Sequence, residues 1–297
     1  MELRHLRYFV VVAEEENVTR AAERLHVSQP PLSRQIQDLE EELGVTLFTR
    51  TARTIRLTPA GRHFLEQARQ ILSQTEAAIK SVRAVSGGVQ GELSLGFAPS
   101  LTVELLPDAL RKFQADFPRV KVSLHDLSSE EMLAGLQSGK LDLVLMALPE
   151  GKRLNGFFHL RLRDYTLSVA LPLHPRLASR KSVQLEELRE EVLLGYSRSG
   201  YPEYHEFLMQ KLGCPKSRPG QTPIQEEHES VTSLMAAVES GRGVALVASC
   251  LGKLAGPRIK VRPILPSGML VSLGVVWKGE LVEGAASHFL EIIKAVS

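Results

Sequence analysis

The sequence predicts an α/β protein that begins with a small helical domain and a long helix. Three observations support this prediction. Apolar residues recur at helical spacing through the residues before Gly44, and one uninterrupted helical pattern then runs from Pro59 to about Ser86. Beyond Gly91, short β-like runs alternate with helical patterns, which is the order of a parallel sheet covered by helices.

The composition is that of a globular chain without a strong charge bias. Of its 297 residues 43% are hydrophobic, enough for the cores of roughly two or three domains. The 36 Lys and Arg nearly balance the 34 Asp and Glu, so any basic surface must be local. The start does not resemble a signal peptide, and no apolar run approaches the ~20 residues that cross a bilayer. We therefore expect a cytoplasmic protein without a membrane partner.

The two cysteines, Cys214 and Cys250, lie far apart and form no Cys-x-x-Cys pair. This usage favours a reducing compartment over a disulfide framework. The sequence leaves open whether either thiol has a redox role.

Three short helices are predicted at the N-terminus. Asn17 or Thr19 can cap the second helix and Ser28 the third, which Gly44 ends. The apolar positions are Leu3, Leu6, Val10 and Ala13 in the first helix, Ala21, Ala22 and Leu25 in the second, and Leu32, Ile36, Leu39 and Leu43 in the third. Each set fits one buried face of a helix.

Pro30 and Pro31 occupy the first turn of the third helix, where amides have no intrahelical acceptor and proline costs no hydrogen bond. With the apolar stripe turned inward, Gln29, Ser33 and Arg34 lie on the outer face or its flank. Gln can bond adenine, Arg guanine and Ser a phosphate. A short helix, a tight turn and such a helix indicate a helix-turn-helix. The alternative is an ordinary solvated helix in an all-α domain.

A small β-hairpin with three arginines is predicted next. Residues 47–58 alternate apolar and polar residues and contain Arg50, Arg53 and Arg56 without an acidic residue. Arginine at a hairpin tip can contact phosphate or enter a narrow minor groove, so we interpret the hairpin as a wing. The acidic residues Asp38 and Glu40 to Glu42 lie toward the far end of the third helix, away from that surface.

Thr58 and Pro59 begin the long helix. Its apolar stripe steps by four and three residues in turn, the 3.5-residue period of a coiled coil. The predicted dimerisation residues are Phe64, Ala68, Ile71, Thr75, Ala78 and Val82. A sustained period of this kind favours a partner helix from a second copy of the chain.

Three segments occur in order: "RYFVVVAEE", "AAERLHVSQPPLSRQIQDLEEELGVTLFTR" and "LTPAG". With them the chain resembles the LysR-type transcriptional regulators, strongly over residues 1–86 and in layout over the rest. The resemblance implies a winged helix-turn-helix domain (1–58), a linker helix and hinge (59–90), and an effector domain (91–297) similar to periplasmic binding proteins. Subdomain I is expected at about 91–161 and 268–297, and subdomain II at about 162–267.

The resemblance also implies partners and contacts. We expect a homodimer, commonly paired into a homotetramer, on an interrupted palindrome of double-stranded DNA, with RNA polymerase as a further candidate partner. The expected DNA-binding residues are Ser28, Gln29, Pro30, Pro31, Ser33, Arg34 and Gln37 on the third helix and Arg50 and Arg53 on the wing. No cofactor is expected. We expect an anionic effector. The opening "MELRHLRYF" is similar to that of members that sense aromatic acids, so a compound derived from an aromatic acid is one candidate.

Ligands of open α/β sheets bind beyond the carboxyl ends of strands, where hydroxyls and helix N-termini can hold an anion. Three loops of this kind follow "ELSLGFA", "VKVSLHDL" and "VLLGY". Their predicted effector-binding residues are Pro99, Ser100, Thr102, Ser128, Ser129, Ser197 and Arg198. The alternative is an ordinary helix cap for each hydroxyl and a solvated loop position for Arg198. The chain departs from the family at Ala248, where a proline often stands.

An enzyme is the competing class. The chain has no His-Glu-x-x-His, Gly-x-Ser-x-Gly or Walker motif, and its histidines are scattered. We predict no catalytic and no metal-binding residue, and we expect His205 and His228 at the surface. In a third hypothesis the chain binds DNA, but its α/β part is a protein-interaction module. A small molecule that changes the DNA footprint would argue against this hypothesis.

Overall fold

The structure, a computed structural model, describes residues 1–50, 55–86, 91–149, 154–173, 179–212, 224–281 and 284–297. It divides into two compact units, Met1–Val82 and Arg83–Ser297, each with its own hydrophobic core. Arg53 and Cys214, predicted or discussed above, lie outside the described residues. So do the side chains of Arg50, Ala78 and Val82.

The first unit contains the three predicted helices, the hairpin and the long helix. Their ranges are α1 Leu3–Glu15, α2 Val18–Arg24, α3 Gln29–Leu43, β1 Phe48–Arg50, β2 Ile55–Leu57 and α4 Pro59–Ser86. Asn17 Oδ1 accepts hydrogen bonds from the amides of Thr19 and Arg20, so Asn17 caps α2. Gly44 ends α3 with a φ of 67°, as predicted. Ser28 stands at the N-cap position of α3 but its side chain accepts no capping hydrogen bond.

Aromatic packing at Phe9 joins α1 to the hairpin and to α4. The Phe9 ring lies 5.3 Å from that of Phe48 and 5.0 Å from that of Phe64. The predicted stripe of α3 closes this core, because Leu32 and Leu39 are completely buried. The hairpin and α3 are therefore parts of one folded unit.

Two side chains attach the hairpin to its neighbours. Glu40 Oε1 of α3 accepts hydrogen bonds from the amides of Leu47 and Phe48, at 2.7 and 2.9 Å. Thr58 Oγ1 donates to the Thr46 carbonyl and accepts from the Gly61 amide, which caps α4 as predicted. The role of Glu40 was not predicted, because the sequence marked it only as an acidic residue turned away from DNA.

The second unit alternates strands and helices. Its strands are β3 Gly91–Phe97, β4 Val120–Asp126, β5 Leu143–Ala147, β6 Phe158–Pro172, β7 Val183–Gln184, β8 Leu193–Tyr196, β9 Glu226–His228, β10 Val244–Ala248, β11 Ile259–Leu265 and β12 Leu270–Trp277. Its α-helices are α5 Pro99–Thr102, α6 Leu106–Asp116, α7 Ser129–Gln137, α8 Pro202–Lys211, α9 Val231–Glu239 and α10 Ala285–Val296. This unit also contains two short 3-10 helices, Leu185–Glu190 and Ser249–Lys253.

The sheet has the order β4-β3-β5-β12-β6-β10-β8-β9, with β11 paired to β6 and β7. Strand β3 is parallel to both β4 and β5, which confirms the predicted parallel sheet at the start of this unit. In the other half of the sheet, strand β8 is parallel to both β9 and β10. Strand β11 was not predicted, because Pro263 interrupts its pattern.

Strand β6 belongs to both halves of the sheet. Residues 158–166 pair with β12, whereas residues 167–170 pair with β10. The chain passes between the halves along β6 and returns between β11 and β12. The expected boundary at 161/162 lies within β6, and the one at 267/268 lies between β11 and β12.

Gly61 allows α4 to approach the wing closely. A Cβ atom at this position would lie 2.1 Å from the Leu47 carbonyl oxygen. Gly61→Ala should therefore destabilise the first unit by about 1–3 kcal/mol, as overpacking usually does. Calorimetry should show this as a loss of roughly 4–8 °C in melting temperature per kcal/mol. Gly91→Ala is the control, since a Cβ there meets nothing within 4 Å. Equal melting of the two variants would contradict the close-approach argument.

Candidate functional site

The start of α3 presents the predicted DNA-binding side chains to solvent. Gln29, Pro30, Pro31 and Arg34 are exposed, as is Gln37 further along the helix. Ser33 is half-buried on the flank. Within the described part of the chain, Arg34 forms no ion pair, so its guanidinium is available to a base or a phosphate.

A groove of about 420 Å³ lies beside these residues. Arg4 and Tyr8 of α1 line it together with Pro30, Pro31 and Arg34 of α3. The start of α1 therefore belongs to the same surface as the first turn of α3. Sequence reasoning missed Arg4 and Tyr8, since helical spacing marked only the buried face of α1.

Other arginines of this unit are held in ion pairs. Arg20 and Arg24 both bind Glu15, and Arg69 binds Glu14 at 2.8 Å. The hydrogen bond from Arg69 lowers the pKa of Glu14, and those from Arg24 and Arg20 lower the pKa of Glu15. These arginines connect α1, α2 and α4, which separates them in role from Arg34.

The predicted dimerisation stripe needs a correction at its start. Ala68 is completely buried within its own domain, and Phe64 contacts Phe9. Ala68 therefore has no surface left for a partner helix, and Phe64, which is half-buried, packs mainly against the core of the first unit. Ile71 is 37% exposed and is the first exposed residue of the stripe. Thr75 is half-buried and donates to the Ile71 carbonyl.

In the second unit, loops from both halves of the sheet meet. The Glu130 amide at the start of α7 donates to the Gly200 carbonyl in the loop between β8 and α8, at 3.2 Å. A Cβ atom at Gly200 would lie 3.1 Å from both Ser128 Cβ and Ser197 Oγ. The structure thus brings together Ser128, Ser129 and Ser197, which the sequence placed after different strands. We call this region the cleft, defined by residues 98–102, 126–131 and 196–203.

The serine hydroxyls of the cleft donate to carboxylates of the chain itself. Their acceptors are Glu131 for Ser128, Glu203 for Ser129 and Glu229 for Ser197, at 2.7, 2.5 and 2.9 Å. These hydroxyls are therefore already engaged within the chain, and Ser128 is also the N-cap of α7. Their role as effector contacts stays a prediction.

The remaining predicted effector residues differ in their access to a ligand. Thr102 is 1% exposed and donates to the Ala98 carbonyl, so its hydroxyl is already engaged and its role as a ligand contact stays a prediction. Pro99 begins α5, and the Ser100 carbonyl accepts from Cys250 Sγ at 3.2 Å. The Arg198 side chain is exposed, while its amide donates to Glu227 Oε2.

Three tyrosines, which the sequence did not single out, pack together at the end of β8 and the start of α8. The Tyr196 ring lies 4.7 Å from that of Tyr201 and 5.1 Å from that of Tyr204. Burial raises the pKa of Tyr196 to about 12. Burial also raises the pKa of Tyr201, and the neighbouring Tyr196 and the charge of Asp126 add to this effect. A tyrosine at the end of an apolar strand has the pattern of an ordinary core residue. The sequence therefore did not indicate that these tyrosines lie beside the cleft.

The histidines beside these tyrosines are not surface residues. His205 is 5% exposed and its Nε2 lies 2.7 Å from the Tyr196 carbonyl oxygen, which corrects the predicted surface position. His228 is half-buried next to Glu226. Among the described residues, no group of His, Cys, Asp and Glu is arranged to hold a metal ion. None of the helices in the described ranges is long and apolar enough to cross a membrane.

Both units match families of known proteins. Residues 3–62 match the family described as "Bacterial regulatory helix-turn-helix protein, lysR family", and residues 86–297 match "LysR substrate binding domain". The chain belongs to the LysR family. This confirms the predicted fold class and makes the chain a DNA-binding transcriptional regulator with an effector-binding domain, not an enzyme.

LysR-family relatives match over nearly the whole chain. The HTH-type transcriptional regulator AlsR of Bacillus subtilis (strain 168) is 33% identical, over 98% of this chain and 95% of AlsR. ClcR of Pseudomonas putida is 31% identical, over 99% and 98%. Full-length CbnR complexed with its target DNA has a TM-score of 0.75 and 29% identity, over 100% of both chains.

Arg34 and Arg20 provide a matched test of the DNA-binding surface. Arg34→Ala should weaken binding by about 1–3 kcal/mol and relax base choice at one position of the operator, because a base contact is lost. Arg20→Ala should change affinity little, since this arginine is ion-paired with Glu15. Fluorescence anisotropy on a set of operator variants at fixed salt measures both. A uniform loss across all variants for Arg34→Ala would contradict base readout.

Proposed function

We propose that the protein is a ligand-switched regulator that binds DNA as a homodimer and takes its effector in the cleft. The meeting of loops from both halves of the sheet, seen at Ser128, Ser197 and Gly200, is the observation that carries the proposal. A ligand in this position contacts both halves at once. It can therefore favour one arrangement of the halves over another, which is the requirement for a switch.

On the DNA side, two copies of α3 would enter successive major grooves of an interrupted palindrome. The exposed Gln29, Pro30 and Arg34 support this role, and Arg50 and Arg53 of the wing would contact the flanking backbone or minor groove. The relative CbnR has been solved with its target DNA. Pairing of dimers into tetramers and contact with RNA polymerase remain expectations from the family.

On the ligand side, the proposal keeps the cleft and specifies no charge for the effector. Hydroxyl donors were one of the grounds for an anion, and the hydroxyls of Ser128, Ser129 and Ser197 donate to internal carboxylates. Effector binding would act by changing the relative populations of two arrangements of the paired DNA-binding domains.

A footprinting experiment tests the switch. Full-length protein first selects a bound duplex from random DNA, and a broad set of metabolites is then added to the complex. We expect at least one small molecule to change the footprint and to raise the melting temperature of the protein. An unchanged footprint across the whole set would contradict the switch and favour a protein-interaction module.

The dimer can be tested on the exposed part of the α4 stripe. Ile71→Asp should shift the protein from dimer toward monomer, because a charge replaces apolar surface at the helix–helix contact. Gln67→Asp is the control, since Gln67 is exposed on the same helix and off the stripe. Sedimentation velocity over a range of concentrations measures the effect. Dimers of equal stability in both variants would argue against this contact.

A further inference from the structure

The two prolines at the start of α3 remove backbone donors that a helix N-terminus usually offers to a phosphate. Free amides in the first turn of a helix are common phosphate ligands. Pro30 and Pro31 are the second and third residues of α3, and proline has no N–H group. Holding a phosphate beside this turn therefore falls mainly to side chains.

The groove between α1 and α3 contains such side chains. Arg4 and Tyr8, one turn apart on α1, line it together with Arg34 of α3. Its volume of about 420 Å³ lies within the range of roughly 300–1,000 Å³ that is usual for ligand sites. The groove thus has room for a phosphate group and the sugar attached to it.

The charge of the groove suits an anion. Arg4 and Arg34 both line it, and among the described residues no Asp or Glu does. Arg4 binds Glu2 at 3.3 Å, but the two side chains are 58% and 66% exposed. An ion pair so open to water contributes little to stability. Arg4 can therefore exchange the carboxylate of Glu2 for a phosphate, which a guanidinium binds with the same geometry.

Tyr8 adds a neutral donor beside Arg4. Its side chain is half-buried, and within the described ranges its hydroxyl forms no hydrogen bond with the chain. Tyrosine hydroxyls are among the groups that bind DNA phosphates. The exposed rings of Pro30 and Pro31 complete the lining with apolar surface, which suits the carbon atoms of a deoxyribose.

The groove is continuous with the surface that faces the bases. A helix of roughly 10 Å diameter nearly fills the ~12 Å major groove of DNA, so its flanks face the phosphates of the two strands. Arg34 lies on the outer face of α3, whereas Pro31 and Gln35, one turn apart, form the flank toward α1. A DNA strand on this flank would pass along the groove.

We infer that the groove between α1 and α3 is a second DNA-binding site, which takes the sugar-phosphate backbone beside the bases contacted by Arg34. Arg4 donates to the phosphate, and the Tyr8 hydroxyl donates a second hydrogen bond. Contacts of this kind carry no sequence information but fix the register of a helix on the duplex. The inference rests on the proposed function, because it requires α3 to lie in the major groove.

The salt dependence of binding tests the contact on the full-length protein and the duplex it selects from random DNA. Arg4→Ala should weaken binding about tenfold, to all operator variants alike, because a charge-assisted hydrogen bond is lost. The slope of log affinity against log salt should fall by about one. Tyr8→Phe should cost about threefold and leave the slope unchanged, since the hydroxyl is neutral. Arg7→Ala is the control, because Arg7 is exposed on the same helix but does not line the groove.

Ethylation interference identifies the phosphate. Ethylation of one phosphate removes its charge and blocks a contact there. In each half-site, one phosphate beside the bases read by Arg34 should be needed by the unaltered protein and by Arg7→Ala. The same phosphate should no longer matter to Arg4→Ala, because its partner is gone.

Two results would overturn the inference. Equal losses for Arg4→Ala and Arg7→Ala would reduce the effect to net charge, and identical interference patterns for the two variants would leave the groove as a surface for another partner. Arg34→Ala separates this failure from failure of the proposed function. Changed base choice in Arg34→Ala beside unaltered binding by Arg4→Ala would refute the second site alone. Unaltered binding by both would refute the placement of α3 in the major groove.

Discussion

The effector domain depends on one strand, β6, that is hydrogen-bonded into both halves of its sheet. Its 15 residues pair with β12 along one stretch and with β10 and β11 along the next. The backbone hydrogen bonds of β6 thus connect the two halves directly. Strand β6 therefore keeps the loops after β3, β4 and β8 near one another, and the cleft is a consequence of the sheet.

The chemical character of the cleft also depends on carboxyl groups from other parts of the chain. Serines after parallel strands are suited to an anion, but each hydroxyl here has a carboxylate partner. Glu203 comes from α8, and Glu227 and Glu229 come from the region of β9. Each of these donors thereby positions a carboxyl group of the chain itself.

Local signals in the sequence predicted most of the fold. Asn17 and Gly44 mark helix ends because capping depends only on a few neighbouring residues. Ala68 was assigned to a dimer contact because a helical period shows that a stripe is buried but not which surface covers it. Thr102 was assigned to a ligand because a hydroxyl in a loop and a hydroxyl bonded to its own helix share one pattern. The carboxylates of the cleft were missed since their contacts join residues far apart in the chain.

In the DNA-binding unit, Glu40 makes the wing and the recognition helix mechanically dependent on each other. Its carboxylate receives both amides at the start of the hairpin, while Thr58 fixes the other end to the cap of α4. A carboxylate that accepts backbone hydrogen bonds in a partly buried setting is costly to leave without them. Movement of the hairpin would therefore act on α3 through Glu40, so contacts made by the wing also constrain the helix that carries Arg34.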